Sequence, residues 1–170
     1  MDDLVKKTKD IIRREGLIAK GNRVLVACSG GIDSVTLLFV LREISHELPV
    51  ELGIVHVNHL LRGQESDRDE DFVKGLADRF SIPCYVKKIN VSHEARRSGK
   101  SIQHAARDVR YCFFDEIADS LHFDKIAIAH NLDDQIETFL LRIVKGTGIR
   151  GLSSIPIRRG RIIRPFLTIY

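Results

Sequence analysis

The chain has 170 residues, 44% of them hydrophobic and 29% charged, a composition that suits a folded domain with its own core and excludes a disordered polypeptide. A net charge of +4 and a pI near 9.1 permit an anionic partner such as nucleic acid without demanding one. No apolar run reaches the ~18 residues of a membrane span. The three cysteines, Cys28, Cys84 and Cys112, are far apart and form no C-x-x-C pair for zinc or an iron–sulfur cluster. Their odd number and the lack of a signal peptide lead us to expect a reducing, cytoplasmic setting.

Residues 2–17 set Leu4, Ile11, Ile12 and Leu17 among Lys and Arg, which predicts an amphipathic helix that ends near Gly16 and Gly21 and packs on a sheet edge. Residues 24–27 are an apolar run with the character of a buried strand. The turn Ser29-Gly30-Gly31 follows, and residues 32–45 then place Val35, Leu38, Phe39 and Leu41 at helical spacing. Strand, glycine turn and helix make an anion-binding device. The glycines let the backbone turn sharply and come close to a ligand. The first-turn N–H groups of the helix point into that turn with the positive end of the dipole. Ser29 and Ser34 add hydroxyl donors. Asp33 would repel a polyphosphate unless a divalent cation lies between them, or unless its carboxylate merely caps the helix.

Residues 50–57 predict a second strand and residues 65–80 a helix carrying Phe72, Val73, Leu76 and Phe80, broken by Ser81-Ile82-Pro83. A third strand covers 84–89, and the polar stretch 92–100 has the composition of a loop or short helix at a rim. Ser101 is the expected N-cap of a helix to about residue 120, with Ile102, Ala105, Ala106, Val109, Phe113, Ile117 and Ala118 inward. A fourth strand spans 125–129. His130-Asn131-Leu132-Asp133-Asp134 opens a helix to about 145, stopped by Gly146-Thr147-Gly148, and residues 161–164 make a last strand closed by Pro165. The alternation predicts an α/β, doubly wound, mostly parallel five-stranded sheet with helices on both faces, in one domain over residues 1–170. In the order 3-2-1-4-5, the glycine turn after strand one and the acidic cluster after strand four would face one crevice.

That cluster is the second informative stretch. Glu137 follows Asp133 by four residues and Asp134 by three, so a helix puts carboxylates on one face. Carboxylates beside polyphosphate suit magnesium, and equally a substrate ammonium or its proton; capping alone could account for Asp133. His56 and His59 have a zinc-like spacing with no further ligand nearby, and their place after strand two suits a nucleotide's sugar or base better. Arg107 and Arg110 lie one turn apart, as surface cations or as phosphate partners. The late basic residues, Arg142, Lys145, Arg150, Arg158, Arg159, Arg161 and Arg164, read first as a solvated face.

Ser29-Gly30-Gly31-Ile32-Asp33-Ser34 matches neither G-x-x-x-x-G-K-[ST] nor G-x-G-x-x-G. It resembles the pyrophosphate loop of the ATP pyrophosphatases, whose fold is adenine nucleotide alpha-hydrolase-like and whose members split ATP between the α and β phosphates. The blocks His56-Val57-Asn58-His59-Leu60-Leu61-Arg62-Gly63, Asp133-Asp134-Gln135-Ile136-Glu137-Thr138 and Gly146-Thr147-Gly148-Ile149-Arg150-Gly151-Leu152 narrow the likeness to the tRNA(Ile)-lysidine synthetase branch. Ala105-Ala106-Arg107 and Ile162-Ile163-Arg164-Pro165 extend it over nearly the whole chain. The resemblance implies ATP and Mg2+ as cofactors, and tRNA(Ile) with a CAU anticodon and L-lysine as substrates. The C2 oxygen of the wobble cytidine is adenylated, and the lysine ε-amine then displaces AMP.

Carried onto this chain, the resemblance gives Ser29, Gly30, Gly31, Ile32, Asp33, Ser34, His56 and Arg107 as ATP-binding residues. It gives Asp33, Asp133 and Asp134 as metal candidates, and Asp33, Arg110, His130, Asp134 and Glu137 as catalytic ones. A second copy of the chain is a candidate partner. Family members usually continue into domains that grip the tRNA acceptor stem, so the chain reads as the catalytic domain alone, with ATP binding retained and tRNA affinity poor. The alternatives are another adenylating enzyme of the superfamily, a tRNA thiolase or an amidotransferase-type synthetase, and a non-catalytic ATP-binding module.

Overall fold

Strand β1 (Arg23–Ala27) lies inside the sheet of the computed structural model, which describes residues 1–61, 63–146 and 155–169. Its alternation sorts the core into two halves. Val24 and Val26 face one side, packed with Leu37, Leu38, Leu41 and Ile44 of helix α2 (Ile32–Ser45). Leu25 faces the other side, with Phe113 and Phe114 of α5 (Ile102–Ser120) and with Phe123. A strand buried on both faces needs apolar residues at every position, which explains the unbroken run from Val24 to Ala27. Fully burying each such side chain contributes ~2 kcal/mol.

The remaining elements are α1 (Asp2–Arg14), β2 (Glu51–Asn58), α3 (Gln64–Phe80), β3 (Cys84–Lys88), α4 (Val91–Ser98), β4 (Lys125–Ala127), α6 (Leu132–Val144), β5 (Arg158–Arg159) and β6 (Ile162–Ile163). The strand order is β3-β2-β1-β4-β6-β5. Pairing is parallel from β3 to β6, with Val24 opposite Leu52 on one side and Lys125 on the other. The expected order 3-2-1-4-5 therefore holds with β6 in the fifth place. The sixth strand is an addition: β5 pairs antiparallel with β6 across a turn in which Gly160 has φ +59°, and it forms the sheet edge. Two residues per strand are too few for a period-two signal.

Two local expectations are corrected and one left open is settled. Helix α1 stops at Arg14 because Gly16 takes the left-handed conformation, and it packs on α2 rather than on the sheet edge. Of the loop or short helix expected over 92–100 the structure has the helix, α4 (Val91–Ser98), capped by the Asn90 side chain accepting from the His93 N–H and closed by Gly99. Ile102 is exposed rather than inward. Ser101 caps α5 as expected, accepting from the His104 amide at 3.3 Å. The expected roles of Arg62, Arg150, and the Thr147-Gly148 part of the helix stop fall outside the described residues. No described helix is long and apolar enough to cross a membrane.

Candidate active site

The sheet order reverses between β1 and β4, and a cavity of about 750 Å³ opens beyond their carboxyl ends. Its floor is the turn from Cys28 to Ser34. Gly30 has φ +90°, a backbone conformation that favours glycine, and a Cβ built there would lie a tight 3.2 Å from the Asp69 Cβ. No side chain caps α2, so Asp33 is not a helix cap, and the first-turn amides are left for a ligand. The Ser34 hydroxyl organises the turn. It donates to the Gly31 carbonyl at 2.8 Å, receives the Ser29 amide at 3.1 Å, and lies 3.1 Å from the Ser29 hydroxyl.

The wall after β2 carries His56, Asn58 and His59. His56 is 3% exposed, and its Nδ1 meets the Cys28 carbonyl at 2.8 Å. A carbonyl only accepts, so Nδ1 bears a proton, which in the neutral ring makes Nε2 the acceptor. That Nε2 is buried without a partner among the described residues, as is the Nδ1 of His59. Burial, with Arg110 and His56 nearby, pushes the His59 pKa down, so its imidazole tends to neutral.

Asn58 is held in turn by Glu70 of α3, which is 2% exposed and which the sequence reading missed. Its carboxylate takes Lys74 at 2.7 Å, Asn58 Nδ2 at 2.9 Å and Lys88 at 3.2 Å. Burial alone would raise the Glu70 pKa, but hydrogen bonds from Lys74, Asn58 and Lys88 outweigh it and bring it to about 2. The network ties the end of β2 to α3 and β3. Only the run of charges around Glu70 hinted at it, and such a run reads as a solvated helix face.

After β4 the chain brings His130 to the same cavity, and Asn131 to its rim beside Asp33. The Asn131 side chain donates to Asp33 at 3.4 Å, across 98 residues of sequence. His130 Nδ1 accepts from the Arg164 Nε at 3.0 Å, and Arg164, 3% exposed, also donates to the Pro156 carbonyl at 2.8 Å. Since guanidinium only donates, His130 is the neutral tautomer with its proton on Nε2. Burial, reinforced by the Arg164 charge, lowers its pKa to about 4. Arg164 is thus no part of a solvated face. It was legible as a motif residue but not as the partner of His130.

The acidic cluster separates. Asp134 closes a capping box, its carboxylate accepting the Asn131 amide at 2.8 Å while its own amide donates to the Asn131 side chain at 3.1 Å. Asp133 and Glu137 are exposed and do not line the cavity. Asp33, Asp133 and Asp134 are not gathered as a metal set; among the described residues no three His, Cys, Asp or Glu side chains could hold an ion together. Magnesium usually takes only one or two carboxylates plus phosphate oxygens and water, and Asp33 beside the open amides of α2 fits that need.

Of the two arginines, Arg110 lines the cavity and its burial lowers its pKa. Arg107 does not line it. It lies over the Tyr111 ring at 5.0 Å and borders a neighbouring groove. Asp69, packed beside Gly30, is a further wall residue that no spacing pointed to.

The comparisons agree with this architecture. The chain is 44% identical over 165 residues to a tRNA(Ile)-lysidine synthase of Clostridium perfringens, an alignment covering 96% of this chain and 35% of that protein. It is 38% identical to the Chlorobaculum tepidum protein of the same name, with 98% and 50% covered. It therefore spans between about a third and a half of the length of these curated relatives. Among solved structures, the U34-tRNA thiolase NcsA from Methanococcus maripaludis superposes with a TM-score of 0.78 at 19% identity, covering 99% of this chain and 60% of that one. An NH3-dependent NAD synthetase from Campylobacter jejuni gives 0.63 at 13% identity, covering 99% and 68%. At those identities both speak for the fold alone. The family model described as the PP-loop domain matches residues 2–170, and the chain belongs to the PP-loop family.

Proposed function

We propose that the protein adenylates the wobble cytidine of a tRNA(Ile) with a CAU anticodon and joins lysine to it, giving lysidine, AMP and pyrophosphate. The observation that carries this reading is the Asn131–Asp33 hydrogen bond, which brings the glycine turn and the start of α6 to one cavity. The 44% identity to a tRNA(Ile)-lysidine synthase gives the substrate class. A tRNA substrate puts the protein in the cytoplasm.

ATP would lie with its phosphates on the amides of Gly30 and Ile32 and on the Ser29 hydroxyl, while Ser34 holds the turn through the Gly31 carbonyl and the Gly31 amide, 3.3 Å from the Ser29 Oγ, would exchange that partner for phosphate. The buried His56 Nε2 lone pair requires a donor, which a ribose hydroxyl or the adenine amine supplies. Asp33 would hold Mg2+, which when bound neutralises phosphate charge as the leaving pyrophosphate forms. The cytidine C2 oxygen attacks the α-phosphorus, and the bond to the β-phosphate bridging oxygen breaks. Arg110 sets a fixed positive charge at the cavity wall, and His130 offers a neutral N–H donor there. The lysine ε-amine must lose a proton before it attacks C2 and expels AMP. Asp134 is committed to its capping box, and Glu137, exposed on α6 and outside the cavity lining, would take that proton from a lysine that approaches along the α6 side.

The test is to incubate the protein with ATP, labelled lysine and the tRNA, and to follow pyrophosphate and label in RNA. This reading expects one lysine incorporated per pyrophosphate released. Pyrophosphate without lysine uptake would favour another adenylating enzyme, and neither product would favour an ATP-binding module. Glu137→Ala at the wild-type rate of incorporation would remove Glu137 from the proton path.

A further inference from the structure

A second cavity, of about 480 Å³, runs between α5 and the β5–β6 hairpin. Arg107, Tyr111 and Asp115 succeed one another at four-residue steps along α5 and make one wall. Arg159, Arg161 and Arg164 make the other. Tyr111 borders both this groove and the ATP cavity, so the two adjoin.

Four guanidinium groups border the groove, and their local pairing leaves positive charge over. Arg161 gives Nη2 to Asp119 at 2.7 Å, while its Nη1 is buried with no partner among the described residues. Arg164 is buried against an imidazole and a carbonyl, neither of which carries a negative charge. Arg107 lies on the Tyr111 ring. Of the bordering carboxylates, Asp108 is taken by Lys100 at 2.6 Å, which leaves Asp115. A buried guanidinium N–H without an acceptor costs stability unless a ligand supplies one. Planar arginine forks in a cleft match phosphate oxygens.

Resting on the reading above, we propose that this groove binds a phosphodiester of the RNA strand flanking the nucleotide that enters the ATP cavity. The strand backbone then passes Tyr111, with one nucleotide turned into the cavity and its neighbouring phosphate on Arg159 and Arg161. The ligand class is a phosphate group, whose other available source is the pyrophosphate released next door.

The test measures binding of the CAU-anticodon tRNA(Ile) transcript against salt for the wild type and for Arg159→Gln/Arg161→Gln, with lysine incorporation followed in parallel. The slope of log K on log[salt] should fall by about 1 in the variant for the lost contact, with affinity down roughly tenfold at moderate salt and ATP affinity unchanged. Asp115→Asn keeps every arginine and should tighten RNA binding, which separates charge from misfolding. A folded double variant with the wild-type slope would overturn the groove assignment. So would loss of inorganic pyrophosphate binding in that variant with RNA binding intact, since the groove would then serve the free anion. If lysine incorporation by the wild type is intact while the slope does not change, the groove fails and the function stands. If lysine is never incorporated but the slope falls, the groove stands and the lysine-transfer reading fails.

Discussion

The two loops that meet at the ATP cavity are built differently. The turn after β1 is made of backbone: Gly30 at φ +90°, an uncapped α2, and two hydroxyls that hold the loop's shape. The start of α6 is made of side chains already engaged with one another, namely Asn131 with Asp134 and His130 with Arg164. Backbone devices leave a mark in sequence because only glycine meets their conformational demand. Side-chain devices leave little mark, because the same residue serves a cap, a metal or a proton depending on its neighbours.

The largest expected effect breaks the backbone side. Gly30→Ala forces an L residue into the left-handed region and presses a Cβ on Asp69. Pyrophosphate release should fall about a hundredfold or more, roughly 3 kcal/mol at the transition state, with the fold retained by circular dichroism. Next is Glu70→Gln, which keeps the shape of the β2–α3 network and removes its charge. It should cost about 2 kcal/mol in denaturant titration. Because the folded Glu70 pKa is about 2 and its ordinary value 4.5, the wild type holds this stabilisation in full above pH 4.5 and loses it as pH falls toward 2. The variant should therefore have a flatter acid limb.

Arg164→Gln tests the side-chain device. It should lower kcat about tenfold, with KM for ATP little changed, and raise the His130 pKa part of the way up from about 4, since burial, the larger cause, remains. An upward shift of the acid-side inflection in the pH–rate profile checks it. A merely structural role would lower stability without that shift. The sign for the wild type runs the same way as for Glu70. A His favoured neutral in the fold contributes fully above pH 6.5 and loses that contribution between pH 6.5 and 4. The smallest effect is Asp134→Asn. Losing the capping-box acceptor should cost ~1 kcal/mol, or about 2–4 °C in Tm. A loss of lysine transfer far beyond that would return Asp134 to the catalytic set.

The same contrast explains what the sequence revealed. The alternation of strand and helix and the order of the parallel strands could be read, since they follow from hydrophobic period and topology; the crevice beyond β1 and β4 could be read too, but it takes His130 and not the acidic cluster expected there. The two-residue β5 could not be, having no period. Asp33 and His130 were correctly placed beside one cavity, but the neutral state of His130 depends on Arg164, 34 residues away. Arg107 sits one turn from Arg110, yet the two border different cavities, because a helix packed edge-on to the site divides neighbouring turns between its two sides. Glu70, buried with two lysines, looked like any charge on a solvated helix.

The most direct measurement of the central claim is the amide spectrum of the labelled protein titrated with a non-hydrolysable ATP analogue and magnesium. If one cavity unites the two loops, the amides of Gly30, Gly31, Ile32 and Asp33 and those of His130 and Asn131 shift together with a single Kd. Shifts confined to one loop, or two different Kd values, would contradict it.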